Sequence, residues 1–357
     1  MHFTNSFLLA HGHIGNVGDS VLRRHYVDTL VNNSRNITVW PGTHDQGYVD
    51  GLIRFGSDVC RVSLAGSYID WYRQALRHGF SGGTVIALNA GQYTLTRRYM
   101  LQALTLIPLV LATRLFGGKV VWLGAAVPEA KLGRTWIYRT LAVWANLVRW
   151  RDSASASIVK RGDTMPDWAF RHRGSVEPTE NRGEIVISMR GDRAPQSASW
   201  IRSMQALGDR TGLKLHVVSQ VREDCATARV LADELGAELT IWNEGGHTSQ
   251  EKIVREIYAR ARLAVSDRLH VLIMAATEGA APLAYVESPI SKIVRHVDYL
   301  GFDWVAPPGG PVSNAIDELD VSTIDSWQER TVRICAEARF QLKAVDQELT
   351  ALGPAAE

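Results

Sequence analysis

From Glu184 onward, short apolar runs and helical segments alternate almost without fault, and few folds accommodate that rhythm. Glu184–Met189, Leu213–Ser219, Leu239–Trp242, Leu263–Ser266 and Pro282–Val286 read as strands. Ser197–Thr211, Asp224–Leu235, Ser249–Arg260 and Val271–Thr277 read as the helices between them. Runs with no polar alternation suit strands buried on both faces, which is the situation of parallel strands joined by crossover helices. A Rossmann-like domain over residues 184–312 is the expectation. The first half repeats the pattern more loosely: Ser6–Ala10, Asn36–Trp40, Val59–Leu64, Thr84–Leu88 and Lys119–Leu123 are its strands, with a helix at Ser20–Val31. Residues 1–175 therefore form a second Rossmann-like domain. The polar, turn-rich segment Arg171–Gly183 is the linker between the two. Residues 313–357 form a tail whose helical pattern, Ile324–Leu352, packs on the outside. A length of 357 residues suits two cores rather than one.

Composition excludes several classes. A net charge of +2 argues against a nucleic-acid binder held by bulk electrostatics. Cys60, Cys225 and Cys335 are too far apart for a CxxC zinc pair or a disulfide framework, and no cluster of His, Asp and Glu suggests another metal. The start of the chain lacks a basic region followed by a signal-length apolar run, so a cytoplasmic location is expected. Charge is nevertheless uneven. Arg97–Arg173 holds 13 basic against 4 acidic residues, whereas Ser313–Glu357 holds 4 against 9. Tyr99–Thr113 is 15 residues without charge, too short to span a bilayer and interrupted by Pro108. It reads as a core helix or, given its flanking arginines, as an interfacial one at the inner face of a membrane.

Two turns carry candidate chemistry. The first strand runs into Gly12-x-x-Gly15-x-x-Gly18 and then Asp19. That spacing is neither a dinucleotide fingerprint nor a Walker loop, but glycines at a helix start admit an anion or a polar ligand. The competing reading is a tight turn capped by Asp19 or Ser20. The second turn is Ser266-Asp267-Arg268-Leu269-His270, delivered by a buried strand to the carboxyl edge of its sheet, where open α/β sheets bind ligands. Arg268 offers a two-pronged grip, His270 a proton near neutral pH, and the helix start a positive partial charge. Arg190, at the end of the preceding sheet strand, and Lys292 could join them; a salt bridge and a solvated lysine are the plainer readings.

At this point the sequence resembles the polysaccharide pyruvyl transferase family. The residues carrying the likeness are Gly15-Asn16-Val17-Gly18-Asp19, Val148–Ser155, Ile185–Arg190 and, most of all, Ser266-Asp267-Arg268-Leu269-His270 followed by Ala275–Pro282 and Lys292. The resemblance implies a GT-B-like arrangement of two parallel-sheet domains. It implies phosphoenolpyruvate as donor substrate with no cofactor, a saccharide acceptor, lipid-linked or not, and formation of a pyruvate ketal in cell-surface polysaccharide biosynthesis. His270, Arg268 and Asp19 would then be catalytic. Gly15, Asn16, Gly18, Arg151, Arg190, Glu287 and Lys292 would contact substrate, with Arg190 or Arg151 on the carboxylate and Asp19 or Glu287 as base. Relatives with a triple glycine differ from Ala65-Gly66-Ser67 here, which leaves the acceptor undefined. Two other readings stay open: a GT-B glycosyltransferase using a nucleotide sugar, and a non-catalytic anion- or glycan-binding protein.

Overall fold

The computed structural model describes residues 3–53, 60–94, 96–128, 135–174, 181–242, 244–285, 292–297, 300 and 316–353. The chain divides into two compact units. The first comprises Met1–Ile14, Asp19–Trp168 and Phe340–Glu357, the second Gly15–Gly18 and Ala169–Arg339. Both are α/β with wholly parallel sheets, the fold class expected from the alternation of strands and helices.

The first unit holds strands β1 (Phe3–Leu9), β2 (Ser34–Trp40), β3 (Arg61–Leu64), β4 (Thr84–Leu88), β5 (Gly91–Gln92), β6 (Lys119–Ala126), β7 (Leu147–Trp150) and β8 (Asp163–Thr164). Their order is β3-β2-β1-β4-β6-β7-β8, with β5 beside β6. Every residue of β4, Thr-Val-Ile-Ala-Leu, is buried, because helices cover both faces of a doubly wound sheet. Helices α1 (Val17–Val31), α2 (Gln46–Leu52), α3 (Tyr68–Gly79), α4 (Arg97–Leu115), α5 (Trp136–Trp144) and α6 (Ser153–Val159) connect the strands. The uncharged stretch at 99–113 is the body of α4, with Pro108 inside it. Trp71 of α3, Trp122 of β6 and Trp150 of β7 are fully buried, and the rings of Trp122 and Trp150 meet edge to face at 4.8 Å.

The second unit holds β9 (Glu184–Ser188), β10 (Lys214–Val218), β11 (Glu238–Thr240), β12 (Ala261–Ser266) and β13 (Ala281–Ala284), ordered β11-β10-β9-β12-β13. Helices α7 (Ala198–Thr211), α8 (Cys225–Leu235), α9 (Gly246–Arg260), α10 (Leu269–Thr277) and α11 (Lys292–Val297) accompany them. One buried ion cluster ties this unit together: Glu278 accepts from Arg255 at 2.7 Å and from His172 at 2.9 Å, and its carbonyl accepts from Arg182 at 2.6 Å. The last helix, α12 (Val321–Ala351), serves both units in turn. In the second, Asp325 forms a fork pair with Arg262 at 2.6 and 2.7 Å. In the first, Glu348 pairs with Arg149 at 2.5 Å and Asp346 accepts from Thr29 at 3.2 Å.

Candidate functional site

Each sheet has a point where the strand order reverses, and ligands of open α/β sheets sit outside the carboxyl ends of the strands there. In the second unit that point lies between β9 and β12. Ser188 and Ser266 are paired in the register, and Ser266 Oγ donates to the Ser188 carbonyl at 2.5 Å. The loops leaving these strands are Met189-Arg190-Gly191 and Asp267-Arg268. They are tied by Arg190 N–H donating to Asp267 Oδ1 at 2.9 Å.

Neither arginine of this edge is an uncommitted cation. Arg268 forms a fork pair with Asp224, Nη2 donating to Oδ1 at 2.5 Å and Nε to Oδ2. Asp224 also accepts Gly191 N–H at 2.8 Å, so one carboxylate fixes both the guanidinium and the neighbouring loop. Arg190 forms a second fork pair, with Asp192, at 2.8 and 2.6 Å. The Arg190 hydrogen bonds pull the Asp192 carboxyl down to about 2. Burial pushes the Asp267 carboxyl up, against the pull of Arg190, Arg193 and Arg268.

Helix α10 starts at this edge. Its N-cap residue is Arg268, which makes no side-chain cap hydrogen bond. Helices α2, α3, α6 and α7 begin at Asp45, Ser67, Asp152 and Ser197, each accepting a backbone N–H of its own first turn, whereas α4, α5, α8 and α9 start without a side-chain cap as α10 does; what sets α10 apart is its place at the β9/β12 reversal. A helix start with a cation in place of an acceptor keeps its positive end for an outside anion. His270 lies in that first turn and is buried. The turn Gly15–Gly18, counted with this unit, lies on it. Asn16 bridges to Val221, Gly15 O accepts Arg222 N–H at 2.8 Å, and Asn16 Oδ1 accepts Gly18 N–H at 3.0 Å. A Cβ on Gly18 would overlap the His270 side chain, so only glycine permits this approach.

The structure thus brings Gly15, Asn16, Gly18, Arg190, Arg268 and His270 into one unit. It puts Asp19 and Arg151 in the other. Asp19 accepts His13 N–H at 2.9 Å and faces Arg23 at 3.3 Å. Arg151, 1% exposed, pairs with Asp167 at 2.8 Å. Lys292 opens α11, and Glu287 lies outside the described residues. Sequence reasoning missed Asp224, which read only as the beginning of a helix. It does stand at the N-cap of α8, closing the 3-10 turn Arg222–Asp224, but its carboxylate serves Arg268 and Gly191.

A second feature it missed is a pocket of about 420 Å³ in the first unit, at the carboxyl ends of β1 and β2. His11, Trp40, Tyr68 and Tyr99 supply its aromatic walls. The ring of His11 lies 5.4 Å from Trp40 and 5.6 Å from Tyr99, and Trp40 lies 5.1 Å from Tyr68. Gly42, at φ +74°, passes so close to His11 that a side chain there would collide with it. The only sequence trace of this pocket was aromatics spaced across three strand ends, a pattern a core also produces.

No known family profile matches the chain, and no curated protein matches its sequence. Solved structures do match its fold. Alr3699/HepE of Anabaena in complex with UDP and glucose is 11% identical, with a TM-score of 0.56 over 98% of both chains. UDP-GlcNAc 2-epimerase of Neisseria meningitidis bound to UDP-GlcNAc is 8% identical, with a TM-score of 0.59 over 98% of this chain and 99% of that one. UGT2 of Phytolacca americana, complexed with UDP-2-fluoro-glucose and pterostilbene, is 10% identical, with a TM-score of 0.50 over the same shares. The fold is therefore that of the two-domain, GT-B-like proteins.

These findings correct the resemblance to pyruvyl transferases and, with it, pyruvyl transfer as the reaction and phosphoenolpyruvate as the partner. The structures sharing the fold hold UDP or UDP-sugars. The local physics agrees. Phosphoenolpyruvate carries two anionic groups on adjacent carbons and needs two cationic clamps. Arg268 and Arg190 are each already neutralised by a carboxylate, and Arg151 is buried in the other unit.

Proposed function

We propose that this chain is an enzyme acting on nucleoside-diphosphate sugars, a glycosyltransferase of the GT-B type, whose second unit holds the diphosphate at the start of α10. One observation carries this reading: an uncapped helix start at the β9/β12 edge, with an imidazole in its first turn and flanking arginines already balanced by Asp224 and Asp192. The first-turn N–H groups and the dipole of α10 are the donors the diphosphate oxygens would use. The folds solved with UDP and UDP-sugars support the same choice. Saccharide rings stack their apolar faces on aromatics, so the first unit's pocket of Trp40, Tyr68 and Tyr99 suits a saccharide.

In the reaction, an acceptor hydroxyl oxygen bonds to the anomeric carbon as the bond from that carbon to the diphosphate oxygen breaks. The hydroxyl proton passes to a base, and the nucleoside diphosphate leaves with its negative charge against the α10 start and His270. The helix dipole thus acts where charge develops.

A thermal-shift panel of UDP, UDP-glucose, UDP-GlcNAc, phosphate and phosphoenolpyruvate tests this. At about 100 times its Kd, a true ligand adds about 2.7 kcal/mol to stability, a shift of a few degrees. UDP ligands should give it, and phosphoenolpyruvate should not. A shift with phosphoenolpyruvate alone, or with none of the panel, overturns the reading. UDP release from UDP-sugar separates turnover from mere binding.

A further inference from the structure

Helix α4 is apolar on both of its faces, which a surface helix of a water-soluble unit is not expected to be. Its inner face, Ala103, Leu106, Leu109 and Val110, is buried in the core of the first unit. Its outer face is apolar as well: Leu104 is 40% exposed and Leu115 76%, and Leu101, 53% exposed, lines the rim of the aromatic pocket. The helices beside it continue the surface. α3 packs on one side and α5 on the other. These neighbours also expose large apolar side chains: Ile69 in α3 and Phe80 at its end, whose ring meets Phe116 edge to face at 4.8 Å, and Trp136, Val143 and Trp144 in α5. In the second unit the large exposed apolar side chains, Val230, Leu239 and Val332, are scattered singly, as they are on any soluble protein.

The charges on these helices are one-sided. The sequences of α3, α4 and α5 hold Arg73, Arg77, Arg97, Arg98, Arg114 and Arg139 against a single acid, Asp70. Arginine around exposed leucine and tryptophan is the chemistry of a bilayer interface. The leucines enter the acyl boundary, tryptophan settles at headgroup depth, and guanidinium meets anionic phosphate. A protein partner would also cover leucine, but it would not require the exposed arginines Arg73, Arg77 and Arg97 against a single acid. No described helix is long and apolar enough to cross a membrane, so the contact lies on the surface and does not span it.

We propose that the outer face of α3, α4 and α5 docks the first unit onto an anionic lipid bilayer. This stands apart from the nucleotide reading, because it uses no residue of the second unit.

The test is co-sedimentation of the full chain with vesicles of phosphatidylcholine alone or with roughly one-third phosphatidylglycerol, at low and high salt. The wild type should pellet about tenfold more with the anionic vesicles, and high salt should weaken this. Leu104→Ser with Leu115→Ser, which leaves the pocket-lining Leu101 in place, should lower pelleting about tenfold. These positions are exposed, so the melting temperature should hold, and the UDP shift should be unchanged. Arg73→Gln with Arg77→Gln should flatten the salt dependence. Equal pelleting with and without vesicles overturns the proposal. So does a concentration-dependent dimer that the double leucine variant abolishes, since the face would then be a contact between copies of the chain.

Discussion

The two sheets share a topology yet treat their reversal points in opposite ways. Between β1 and β4 the first unit spends a buried guanidinium on itself. Arg23 donates to Asn89 Oδ1 at 3.1 Å, to Ala90 O at 3.0 Å and to Asp19 O at 2.8 Å, while Asn89 Nδ2 reaches the His11 carbonyl at 2.9 Å. Between β9 and β12 the arginines are turned to carboxylates at the rim, and the helix start is left without a side-chain cap. An edge sealed by its own hydrogen bonds holds the fold together. An edge whose charges are balanced but whose helix dipole is uncapped has capacity left for a ligand. The same residue type does both jobs, from helix α1 in the first unit and from the strand ends in the second, and its partners tell the two apart.

Four substitutions sharpen that contrast. Arg23→Ala should be the most damaging, because it leaves Asn89 and two carbonyls without their donor inside the sheet edge; a loss of about 3–5 kcal/mol is expected in denaturant unfolding. It should leave UDP affinity per folded molecule unchanged. Asp224→Ala should cost about 2 kcal/mol, since Gly191 N–H and the Arg268 guanidinium lose their acceptor. Unlike Arg23→Ala, it should also strengthen UDP binding by calorimetry, about tenfold, because the freed Arg268 guanidinium then faces the diphosphate at the helix start. Equal effects of the two substitutions on UDP would erase the distinction. Gly18→Ala should cost about 1–3 kcal/mol by forcing the turn off His270, read as a lower melting temperature.

The smallest effect belongs to the Arg190–Asp192 pair. The folded Asp192 carboxyl lies near 2, below its ordinary 3.8. Its contribution is therefore present above about pH 4 and is lost as pH falls through 4 toward 2. Asp192 is largely exposed, so solvent screens the pair and the contribution stays under about 1 kcal/mol. Asp192→Asn should remove that part of the acid dependence of the melting temperature and little else.

Much of the second unit was legible because parallel strands are long apolar runs and their helices carry a clean period. Ser266–His270 could be placed at a carboxyl edge for that reason. What was not legible were partners. Asp224 is 44 residues from Arg268 in sequence, and nothing local marks the two as a fork pair. Arg151 read as a ligand contact because its neighbours suggested a family; its buried bond to Asp167 depends on a chain path that no pattern encodes. The small first-unit elements α2, β5 and β8 were also unread, since two to seven residues carry too little periodicity. The charge-free stretch at 99–113 was readable as a helix, but not that its outer face stays uncovered.

Backbone hydrogen exchange with and without UDP tests the central claim most directly. Amides of Leu269–Val271 and of Arg190–Gly191 should exchange more slowly with UDP bound, while those around Asn89 in the first unit should not change. Protection confined to the first-unit edge, or none at saturating UDP, would contradict the assignment of the diphosphate to the start of α10.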